Sequence, residues 1–225
     1  GEETLYFCNG DHYARIVTGF SIDIVGLNGA SQASLSGASR GTVLTVQGDG
    51  LNVTVSDITI ERGQASDNIT ALTKKAGGGI FCDGKSELEI SDSVISNNRA
   101  EGAGGGIHNE DCNVTITDTE IHSNISELVG GGLASLGGTV TITDSSIYNN
   151  TADIQGGGLF LYDYSGEEDI TRPAIANMEN LLVKGNGSTI GGGLLISGGA
   201  AATCTASDGD YGFVENTASA VGGGV

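Results

Sequence analysis

Three consecutive glycines recur along this chain, and their spacing restricts its fold more than any other feature. The triplets lie at Gly77 to Gly79, Gly104 to Gly106, Gly130 to Gly132, Gly156 to Gly158, Gly191 to Gly193 and Gly222 to Gly224, in steps of 27, 26, 26, 35 and 31 residues. A short strand follows each triplet but the last: Ile80-Phe81, Ile107-His108, Leu133-Ala134, Leu159-Phe160 and Leu194-Leu195. A period of roughly 20–50 residues marks stacked units that bury their apolar faces only against one another. Each unit holds a second alternating stretch, LEISD at 88–92, VTITD at 114–118 and VTITD at 140–144. A third strand is centred on Ile95, Ile121 and Ile147, and an asparagine stands three residues beyond each centre. Period-two alternation in units too short for helices predicts strands throughout. The expectation is an all-β parallel β-helix of about 7 coils, with three short strands and three bends per coil.

In such a coil, like residues lie over like at a strand spacing of about 4.8 Å. Glycines at the corner before the first strand allow a sharp turn and positive φ. The asparagine column Asn98, Asn124, Asn150, Asn186 and Asn216 is predicted to point inward as a ladder, each amide bonding its neighbour and the turn backbone.

The pairing of GGGI at 104–107 with IHSN at 121–124, and of GGGL at 130–133 with IYNN at 147–150, resembles the right-handed parallel β-helix repeats of polymorphic membrane proteins and related secreted surface proteins. The resemblance covers about residues 42–225. It departs from the family pattern where the family's phenylalanine is Ile or Val, Phe213 excepted. It implies a right-handed coil, display outside the cell or on its surface, and often adhesion, and it brings no catalytic residues.

Residues 1–225 therefore read as a single solenoid. Residues 1–63 form degenerate coils, with 27–41 a loop and Gly63 in the place of the ladder asparagine. Residues 64–225 form the repeat coils, with a polar excursion at 64–76. No capping element is evident near 213–225, so the C-terminal end reads as open. That favours a fragment of a longer protein, or a subunit that stacks end to end on other copies of itself as a filament.

The formal net charge of −19 argues against nucleic-acid partners, because such a surface repels phosphate backbones. No run of 18 apolar residues is present to span a membrane as a helix. The cysteines lack a zinc-site spacing. Cys82 and Cys112 lie on adjacent coils, where they can form a bridge; Cys204 falls in the inward register of Ile116 and Ile142, which predicts a buried thiol. Sequons at Asn52, Asn68, Asn113 and Asn149 are candidate glycosylation sites if the source is eukaryotic, with Asn68 the best placed.

Four aspartates, Asp57, Asp92, Asp118 and Asp144, share one corner with Asn180. Asp after a strand is the usual Asx-turn residue, and a column of carboxylates can also hold Ca²⁺. His12, His108 and His122 have no nucleophile partner and read as surface residues. The largest insertion, about 161–177, carries Tyr162, Asp163, Tyr164, Glu167, Glu168 and Asp169, and loops on a rigid scaffold are where recognition concentrates. The functional expectation is a non-enzymatic extracellular β-solenoid without a required cofactor, an adhesin segment or filament unit meeting host or matrix glycans or proteins. The alternative is a carbohydrate-binding or polysaccharide-degrading β-helix.

Overall fold

The computed structural model describes residues 3–66, 75–163, 173–207 and 209–224. Their strands form four parallel sheets of 8, 7, 8 and 6 strands, each coil contributing one strand to each sheet in its regular part. The coil that starts at Gly104 is representative. Its strands are Ile107–Glu110, Asn113–Thr117, Glu120–His122 and Ile125–Ser126. The sheets are named here in that order, first to fourth.

The fourth strand corrects the expectation of three. It follows the ladder asparagine and in the regular coils is two residues long, as in Arg99–Ala100 and Thr151–Ala152. Ala100, Ser126 and Ala152 face inward and are buried. A pair of residues is too short to display alternation, but a small buried residue in a fixed column is its trace. The loop expected at 27–41 also contains a strand, Ala33–Ser36, which pairs with Thr59–Glu61. Its Leu35 is fully buried, so one strong apolar residue holds a segment of otherwise small residues in register.

Register is kept from coil to coil, apart from one shift between Ser188 and Ile190 in the fourth sheet. Leu88 lies over Val114, then Val140 and Ala176, and Ile90 over Ile116, Ile142 and Met178. The third sheet stacks Ile95, Ile121, Ile147, Val183 and Phe213. Nearly all of these residues are completely buried. Each such aliphatic side chain is worth about 1.5–3 kcal/mol of burial. Cys204 continues the Ile90 column over Met178, as its register predicts. Its thiol is nevertheless exposed, because it lies on the last described rung of the second sheet.

Backbone conformation explains the glycines. The first glycine of each triplet has φ between 61° and 66°. At the second, space decides: a Cβ on Gly131 would lie 2.4 Å from the Gly157 carbonyl oxygen and 2.5 Å from that of Thr151. The coils approach here with no room for a side chain.

Cys82 and Cys112 form a disulfide, with Cα atoms 6.2 Å apart and a separation of 30 positions in sequence. It joins the first strand of one coil to the corner of the next, and both residues are buried. Closing a loop of that length in the unfolded chain stabilises by about 3.6 kcal/mol. The C82A/C112A double variant is expected to lose about that much in urea denaturation. An unchanged midpoint would show that the bridge adds nothing.

Candidate functional site

The ladder asparagines point into the coil. Asn98, Asn124, Asn150 and Asn186 are buried, and Asn216 is half-buried on the last rung. Each Nδ2 donates to the Oδ1 of the next asparagine at 3.0–3.1 Å from Asn98 through Asn186. The same Nδ2 donates to a carbonyl of the preceding coil: Ile60, Ile95, Ile121, Ile147 or Val183. Each Oδ1 also accepts the backbone N–H of the previous member, beginning with Gly63 at 2.8 Å. From Asn98 through Asn186 both amide hydrogens are used within the chain itself.

The aspartate corner is a second structural column. Asp57, Asp92, Asp118, Asp144 and Asn180 have φ of 58°, 48°, 47°, 50° and 50°. Asn and Asp tolerate this left-handed conformation better than other side chains bearing a Cβ. The residue after each aspartate is buried, and Ser93, Thr119 and Ser145 bond the carbonyl two residues back at 2.6–2.8 Å. Among the described residues, no three His, Cys, Asp or Glu side chains converge as a metal-binding group.

Asn52, Asn113 and Asn149 are exposed, and Asn113 donates to Glu87 at 2.8 Å. Asn68 lies outside the described residues, as do Tyr164, Glu167, Glu168 and Asp169 of the proposed loop. Tyr162 and Asp163 are drawn into packing: the Tyr162 ring stacks on Phe160 with centroids 6.3 Å apart, and Asp163 is 6% exposed.

The histidines correct the surface expectation in part. His12 and His122 are half-buried, whereas His108 is completely buried. Its ring stacks on Phe81 at 5.5 Å, and neither ring nitrogen has a hydrogen-bond partner among the described residues. It belongs to an apolar cluster outside the coil interior, with Phe81, Ala134 and Phe160 on the outer face of the first sheet. Ala76, Ala103 and Val129, in the segments leading into the triplets, pack in that cluster. Burial lowers the His108 pKa to about 3.

A groove on the third sheet went unpredicted. It encloses about 420 Å³ between the rung of Tyr148 and the rung of Lys184. Tyr148 stacks on His122 with ring centroids 4.7 Å apart and planes 14° apart. The Tyr148 hydroxyl donates to Glu120 Oε2 at 2.6 Å. Burial first, then the bond and the charge of Glu120, push its pKa up to about 12. Burial also lowers the His122 pKa, against the opposing pull of Glu120. On the far side, Lys184 pairs with Glu215 at 3.4 Å. The groove is assembled from residues about one coil apart, so no local motif announces it. Its sequence signal is the register alone, which puts His122, Tyr148 and Lys184 in one outward column.

Four stacked parallel sheets with an internal asparagine ladder define a β-helix. The family described as the right handed beta helix region matches residues 24–218, and the chain belongs to it. Neither curated proteins nor solved structures gave a match.

Proposed function

We propose that this chain is a non-enzymatic extracellular β-solenoid, a rigid rod that presents an adhesive or structural surface. One observation carries the reading. Two pairs span the exposed groove, Tyr148 with Glu120 and Lys184 with Glu215, and the tyrosine at its centre is held protonated up to about 12. A phenol in that state is no base at neutral pH. The Cys82–Cys112 bridge supports an oxidising compartment, where such bonds persist. The GGxI and IxxN pattern of polymorphic membrane protein-type surface proteins supports display and adhesion. Its partners on this reading are matrix or host glycans or proteins, and other copies of the chain end to end. Nucleic acid is disfavoured by the charge of −19.

The test pairs retention with turnover. The purified chain is passed over immobilised matrix glycans and proteins, and is incubated separately with neutral and acidic polysaccharides. Retention without new reducing ends or unsaturated products is expected. Release of either product would replace this reading with a polysaccharide-degrading one.

A further inference from the structure

We propose that the groove on the third sheet is a subsite for one neutral pyranose unit of a glycan; this rests on the adhesive reading and names its ligand. The argument begins with the tyrosine. One face of the Tyr148 ring is covered by His122 of the preceding rung. The groove opens on the other side, towards the rung of Leu182 and Lys184. A flat aromatic face with an apolar side chain beside it matches the axial C–H face of a pyranose.

The rim suits the hydroxyls of a sugar. Glu120 and Glu215 accept hydrogen bonds, Lys184 donates them, and the Asn149 amide does both. A sugar hydroxyl is donor and acceptor at once, so it can use a rim of mixed character. A bare cation would meet Lys184, and a uronate or sulfated unit would meet two carboxylates on a chain of net charge −19. Neutral sugars avoid both conflicts.

Space is also provided. In the corner column that runs Ser123, Asn149, Gly185 and Glu215, only position 185 lacks a side chain. A Cβ there would lie 2.8 Å from Asn149 Oδ1 and intrude on the groove. The volume of about 420 Å³ lies in the range of roughly 300–1,000 Å³ ordinary for small-ligand sites.

The experiment is saturation-transfer NMR and calorimetry on the intact chain, with neutral oligosaccharides, a uronate polymer and an arginine-rich peptide as probes. A neutral oligosaccharide is expected to bind, with saturation strongest on its ring C–H protons. Tyr148→Ala is expected to weaken binding at least tenfold while keeping the circular dichroism spectrum, with the melting temperature lowered only by the lost stack on His122 and bond to Glu120. Tyr148→Phe keeps the ring and is expected to stay within about threefold of the parent. Neutral-sugar binding that survives Tyr148→Ala overturns the groove assignment and leaves the adhesive reading standing. Preference for the uronate or the peptide overturns the ligand class. Cleavage of a probe overturns the adhesive reading itself.

Discussion

Asn150→Ala is expected to destabilise the chain by about 4–6 kcal/mol. The Asn150 amide donates to the Ile121 carbonyl at 2.9 Å and to Asn186 Oδ1 at 3.0 Å. It accepts from both the backbone N–H and the Nδ2 of Asn124, each at 3.0 Å. Alanine removes all four bonds at a site with no access to water. Each buried group left unpaired costs about 1–3 kcal/mol, and the Asn124 N–H, its amide hydrogen and the Ile121 carbonyl all lose a partner. Urea denaturation measures the loss directly. A change below about 1 kcal/mol would mean that the ladder fills space without binding the coils together. The N124A/N150A double variant should cost clearly less than the sum of its parts, because the two amides share bonds.

His108 governs the second large effect, which appears in acid. In the unfolded chain its imidazole takes a proton near 6.5, while in the native chain burial defers that step to about 3. Between these values the unfolded state binds more protons, so stability falls as pH falls through the window. Each pH unit of the gap is worth about 1.4 kcal/mol, so the full loss is on the order of 4 kcal/mol by pH 3. Replacing the ring by His108→Leu keeps an apolar contact with Phe81 and removes both unpaired nitrogens. The leucine variant is expected to match or exceed the parent at pH 7 and to hold a clear advantage at pH 4. Subtracting the two profiles isolates His108 from the carboxylates they share. Parallel profiles would show that a proton reaches this ring without disturbing the fold.

These two residues show what a linear pattern reveals and where it misleads. The inward direction of Asn150 was legible because the asparagine keeps a constant offset from the third strand in every repeat. His108, read as a surface residue for want of a nucleophile partner, proved buried. Alternation places it on the outer face of its strand, and an outer face is ordinarily solvent. Here the segments leading into the triplets cover that face. The trace was present in the column: Phe81, Ala134, Phe160 and Leu195 share the outward position with His108, and beside it only Thr45, on the rung before Phe81, is polar. An apolar column at an outward position is the mark of a second buried layer. The groove was invisible for another reason, since its walls belong to different rungs and meet only after the coils stack. Cys204 occupied its expected column, but burial depends on having a coil on either side, which an offset within one repeat does not report.

The corners have a consequence for how a rod of this kind can change. Between the second and third strands, and again between the third and fourth, the connection keeps one length in the regular coils: Ser91 to Val94, Thr117 to Glu120, Ser96 to Arg99, His122 to Ile125. A left-handed residue and then a buried hydroxyl or amide fill each of these two corners, and an extra residue would displace the group that locks the turn. The connection before the first strand is also constant in these coils, Ala100 to Ile107, Ser126 to Leu133 and Ala152 to Leu159, whereas the one after it varies, from Leu136 to Thr139 in one coil and from Tyr162 to Ile175 in the next. Length variation among descendants of this chain is thus channelled to one corner, between the first and second strands, while the rest of the circumference keeps its gauge.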